Sequence, residues 1–164
     1  MDENVTRLGQ HSRLARPSAT TDTPWLWASA PSADPQGIEA PDSPGGKWLW
    51  FLPVRALDAG WQQVRQAVED GKLGPAAKVA TLGNPFDGDP TRRPVIVYTA
   101  DCNHEADVHR VLVALRSLGI NDALAYKTDE ATSLGEYGDR TSAYTSPAGT
   151  TKIVNRIPRY TAST

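Results

Sequence analysis

The sequence predicts an α+β domain, a curved and mostly antiparallel sheet with two main helices on one face, in the order β-α-β-β-α-β. Three observations lead there. Short runs dense in branched and aromatic residues recur at 47–54, 76–82, 94–100 and 123–127. Two intervening stretches keep helical i, i+3, i+4 spacing and end on glycine. Two β-α-β units placed side by side close such a pattern into one sheet and leave its other face uncovered.

Residues 1–23 read as a flexible arm and 24–160 as the single domain, with an irregular segment over about 30–46. SAPSADPQGIEAPDSPGG offers almost nothing to bury. PWLW, ending at Trp27, carries two aromatics at strand spacing and is expected to dock as an edge strand. KWLWFLPV reads as a buried strand. Asp58 is expected to cap a helix with Leu57, Trp61, Val64 and Val68 on its apolar side and Gly71 as its stop. AAKVATL is a short strand, NPFDGDPTRRP a long loop, and PVIVYTA a central strand. Val108, Val111, Leu112, Leu115 and Leu118 define the second helix, with Asn103 as cap and Gly119 as stop. ALAYK follows as a strand. Asp129 to Leu134 suits a helical turn, and 142–146 and 152–157 suit late strands.

Composition narrows the function classes. The 164 residues suit one domain, and 39% apolar content supports a packed interior. No run approaches the roughly 20 apolar residues of a membrane span. MDENVTRLGQ lacks an apolar signal core, and the lone Cys102 fits a reducing compartment, so a cytoplasmic protein is expected. Seventeen basic against 19 acidic residues, net −2, argue against gripping duplex nucleic acid. A local pocket for one phosphate stays compatible with that balance. The GxxxxGK[ST], HExxH, CxxC and GxSxG motifs do not occur, so no metal or organic cofactor is expected.

GKWLWFLPV followed by a Trp-bearing helix resembles the start of the cap-binding translation initiation factor 4E-like fold. KLGPAAKVAT, VIVYTADCNHEADVHRVLVALRSLGI and LAYKTDEATSLGEYG resemble the basophilic-leukaemia-expressed protein family, which shares that fold, over roughly residues 25–146. Bacterial members carry a phosphothreonine lyase label. The resemblance therefore implies β-elimination on a phosphorylated peptide or protein, for example dehydration of a precursor peptide beside a kinase. A non-catalytic phosphopeptide or nucleotide binding module, or a scaffold that docks a partner through Trp25 and Trp27, is the alternative. Cap-binding factors hold methylguanine between two loop tryptophans. Here all five tryptophans stand at or before position 61, none in the 83–94 loop, so cap recognition is not expected.

Eliminating phosphate needs a base for the Cα proton, a proton donor or neutraliser for the leaving oxygen, and cations for the phosphate. Lys78 and Lys127 lie within otherwise apolar strands, and alternation sends each opposite its apolar neighbours. On one uncovered face they would be sheet neighbours, a base and a clamp; two solvated lysines are the competing reading. Lys47 opens the first strong strand and would join them. Arg92 and Arg93 in the long loop, with Arg140 and Arg156 near the C-terminus, are further phosphate ligands by residue type. His104 at a helix start is the histidine candidate for acid or base. Tyr126, Tyr137 and Tyr144 are alternative proton donors, and Asp129 is placed to orient Lys127. With no obvious partner histidine, Cys102 reads as passive.

Overall fold

A computed structural model describes residues 15–31, 45–85, 88–128 and 143–155. Strands β1 (Trp25–Ser29), β2 (Gly46–Pro53), β3 (Ala76–Ala80), β4 (Arg92–Thr99), β5 (Leu124–Thr128), β6 (Tyr144–Ser146) and β7 (Val154–Asn155) form one curved sheet. Its order is β1-β3-β4-β2-β5-β6-β7, and every adjacent pair is antiparallel. Helix α1 spans Val54–Glu69 and α2 spans Glu105–Ser117. None of the described helices is long and apolar enough to cross a membrane.

Both helices cover the same face. On β2 the side chains of Trp48, Trp50 and Leu52 point to it. The Trp48 indole N–H donates to the Val108 carbonyl of α2 at 3.1 Å. Trp50 and Leu52 crowd Gly60 of α1 so closely that a Cβ there would clash. Leu57, Trp61, Val64 and Val68 from α1, and Val108, Val111, Leu112 and Leu115 from α2, complete the core. Gly71 (φ 74°) and Gly119 (φ 88°) end the helices in the left-handed region, as the glycine stops predict.

Strand bounds differ from the sequence reading by at most two residues. The helix starts differ for a physical reason. Pro53 is the N-cap of α1, so Asp58 lies inside the helix. Its carboxylate instead accepts the Ser18 backbone N–H (2.9 Å) and hydroxyl (2.5 Å). Residues 15–23, read as part of the arm, thus include a 3-10 turn, Pro17–Ala19, held against α1, with Pro17 buried. His104 rather than Asn103 is the N-cap of α2; the Asn103 N–H donates to the Asp101 carboxylate at 2.8 Å.

Asp58→Ala removes a charged acceptor shared by two donors. It is expected to cost about 1–3 kcal/mol, read as a lower urea midpoint, and to speed proteolysis ahead of β1.

Candidate functional site

The face away from the helices is built by alternation. Because Trp48, Trp50 and Leu52 face the core, Lys47, Leu49 and Phe51 face the other way. Register extends the assignment strand by strand. Lys47 stands opposite Lys127 on β5 and opposite Tyr98 on β4. Leu49 stands opposite Ile96, Ile96 opposite Lys78, and Lys78 opposite Trp27. Trp25 shares the Trp27 face of β1.

Two clusters result. Lys47 and Lys127 form a direct cross-strand pair of like charges, only 8% and 9% exposed. Beside them, Tyr98 lies nearly parallel to Trp27, ring centroids 6.0 Å apart and planes 10° from parallel. The Lys78 ammonium sits 3.9 Å from the Trp25 ring centroid, 5.1 Å from that of Trp27 and 6.0 Å from that of Tyr98. Tyr98 bridges the clusters, since the Lys47 ammonium lies 5.7 Å from its centroid.

This corrects the expected pairing. Lys78 and Lys127 do share the face away from the helices, but β4 and β2 lie between their strands. Three inter-strand steps put about 14 Å of lateral distance between them. The neighbour of Lys127 is Lys47.

Other predicted residues lie elsewhere. Tyr126 points to the helix side, fully buried, its hydroxyl 2.6 Å from that of Thr99 and its ring edge-on to Trp48. Tyr144 follows it, opposite Tyr126 with ring centroids 5.6 Å apart. Burial, then Glu105 and Cys102, raise the Tyr144 pKa, so it holds its proton. Neither tyrosine faces the lysine pair. The Arg93 guanidinium is buried and donates to the carbonyls of Pro90 (2.7 Å) and Arg92 (2.9 Å), bracing the long loop. Arg92 is exposed and donates to the Phe51 carbonyl at 2.8 Å. In the same loop the Thr91 hydroxyl and N–H lower the Asp89 pKa. His104 is exposed at the α2 start, and its carbonyl accepts the Asp107 and Val108 N–H groups. Asp129, Tyr137, Arg140 and Arg156 lie outside the described residues. Among the described residues no cluster of three His, Cys, Asp or Glu suits a metal ion.

Tyr98, Trp25 and Trp27 are the site residues that the sequence reading did not assign to a ligand. Tyr98 sits in a continuous apolar run, so period-two alternation leaves no visible mark there. Its face emerges only from its register with Lys47.

Comparison with known proteins identifies the fold and the family. The sequence profile of the basophilic leukemia-expressed protein Bles03 family matches residues 39–135. No curated protein matches the sequence. Among solved structures, a schistosome eIF4E complexed with m7GpppA and 4E-BP superposes with TM-score 0.62 at 15% identity, over 88% of this chain and 80% of that one. Caenorhabditis elegans eIF4E-3 with the 4E-binding protein Mextli and a cap analog gives 0.56 at 20% identity, over 80% and 76%. Ascaris suum eIF4E-3 with an m7G cap gives 0.51 at 18% identity, over 77% and 73%. The eIF4E-like fold expected from the first strand and helix is the fold of this chain.

Tyr126→Phe is expected to lower stability by about 0.5–1.5 kcal/mol in urea unfolding, because Thr99 keeps the Gly46 carbonyl as a partner at 3.4 Å. An unchanged midpoint would show that the buried hydroxyl pair contributes nothing.

Proposed function

The chain belongs to the Bles03 family, and from that premise we propose that it is a phosphate-recognising module whose sheet face away from the helices binds a nucleotide. The phosphates would sit at Lys47 and Lys127, and the base on the ring surface of Trp27 and Tyr98. The single observation that carries this reading is the pair of nearly buried, directly opposed lysines beside a stacked Trp–Tyr platform. An anion held among ammonium groups so little exposed interacts in a poorly screening medium. Trp27 is 53% exposed, which leaves ring surface for a base, and stacking on an aromatic ring tolerates any base. Nucleotide ligands also occur on this fold, in the m7GpppA and m7G cap complexes.

Titrating the protein calorimetrically with GTP and with inorganic phosphate tests the reading. Binding of GTP is expected, tighter than that of inorganic phosphate because the base adds stacking on the rings. Lys47→Met and Lys127→Met should each weaken it at least about tenfold while circular dichroism stays that of the parent. Affinity unchanged in both variants would refute the assignment.

A second reading draws on the same pair. Lys47 and Lys127, rather than Lys78 and Lys127, have the adjacency that phosphothreonine β-elimination needs. One amine would take the Cα proton; the Cβ–O bond would break as the C=C forms, and phosphate would leave against the other ammonium. A kinase or other subunit would supply the phosphorylated peptide. Mass spectrometry of a phosphothreonine peptide after incubation distinguishes the outcomes. Loss of phosphoric acid marks elimination, loss of HPO3 marks hydrolysis, and an unaltered peptide rules out lyase action on it.

A further inference from the structure

We infer that Ser18 is a phosphorylation site whose modification unlatches the strap leading into β1, an inference that goes beyond the nucleotide reading and does not depend on it. Residues 15–24 lie across the domain before the sheet begins. Ala15 packs against the core and Pro17 is buried. Two anchors hold this strap. On one side it accepts bonds from the turn after β3. The Leu82 N–H donates to the Pro17 carbonyl (3.3 Å), the Gly83 N–H to that of Thr20 (3.2 Å) and the Asn84 side-chain amide to that of Pro24 (3.0 Å). On the other side the Asp58 carboxylate of α1 accepts both the N–H and the hydroxyl of Ser18.

The second anchor is the one that a phosphate ester destroys. Esterification removes the hydroxyl hydrogen that Asp58 accepts. In its place it puts a charge of about −1.5 to −2 against a carboxylate 2.5 Å from the same oxygen. Phosphoserine beside an acidic side chain disrupts by like-charge repulsion, and partial burial keeps that repulsion poorly screened. Ser18 is also within reach of an enzyme. It is half-buried between exposed Arg16 and Ala19. Arg13 and Arg16 stand five and two residues before it, charges that suit the acidic substrate groove of a serine kinase. In the transfer, Ser18 Oγ attacks the γ-phosphorus of a nucleoside triphosphate held by that kinase. The Oγ–P bond forms as the bond to the β,γ-bridging oxygen breaks. The nucleoside diphosphate leaves with that electron pair, and the hydroxyl proton goes to a base of the kinase. Among the described residues β1 pairs with β3 alone, so loosening its entry also loosens Trp25 and Trp27.

Incubating the full chain with an arginine-directed serine kinase and ATP, then mapping peptides by mass spectrometry, tests the site. A gain of HPO3 on Ser18 is expected, and none there overturns the assignment. Hydrogen exchange then reads the latch, through the Ser18, Ala19 and Thr20 amides, all of them hydrogen-bonded. Phosphate on Ser18 is expected to speed their exchange at least about tenfold. Ser18→Asp should do so in part, whereas Thr21→Asp, a charge at a neighbouring exposed position, should leave it unchanged. Charge reversal separates repulsion from the mere loss of a bond: in the Asp58→Lys background, Ser18→Asp should slow exchange instead of speeding it. Unaltered exchange in the phosphorylated chain would overturn the inference, as would a Ser18→Asp effect of the same sign in both backgrounds.

Discussion

Everything on the face away from the helices follows from how the central strand β2 is pinned. Its Trp48 indole donates to the Val108 carbonyl of α2, and its Trp50 indole to the Asp122 carboxylate at 2.7 Å. These bonds fix which residues of β2 face the helices, while β4 pairs with all eight of them. A slip of one residue would turn both tryptophans outward and drive the Lys47 ammonium into the core. The cost of that exchange is what orients Lys47 outward. Through register, it also orients Lys127, Tyr98, Lys78 and Trp27.

Much of this was legible in the residues. The two helices, their glycine ends and the main strands were marked by periodicity and by stop signals, and PWLW was recognisable as an edge strand. Strand order was not legible in the same way. A β-α-β-β-α-β pattern does not say that β2 inserts between β4 and β5, because that placement depends on long-range pairing. The expected neighbours Lys78 and Lys127 were therefore on the right face and on the wrong strands. Asp58 shows a different failure. Its local signal as a helix cap was sound, but Pro53 started the helix one turn earlier and Ser18, 40 residues away, claimed the carboxylate.

The cationic residues divide by chemistry. Arg93 braces the loop before β4 through backbone carbonyls. Arg116 donates to the carbonyls of Thr150 (2.7 Å), Ile120 (2.8 Å) and Asp122 (2.6 Å), tying the end of α2 to the segment after β6. Burial lowers the Arg116 pKa, yet guanidinium stays charged and its planar fork can serve several acceptors at once. The lysines are compact charges on flexible stems, poorly suited to bracing a loop. Sheet register instead gathers three of them on one face. Reading all cations alike as phosphate ligands overlooks this difference in geometry.

A shared fold does not carry a shared site, and here the two can be separated physically. The expectation against cap recognition rested on where the tryptophans stand in the sequence, all before the long loop. Yet β1 brings Trp25 and Trp27 onto the sheet face from its edge, and Tyr98 meets them from β4. A platform carried by hydrogen-bonded strands is held more firmly than one carried by loops. It also has a lysine built into its register, because Lys78 is the cross-strand partner of Trp27. In this chain the rings and the charge between them come as one unit.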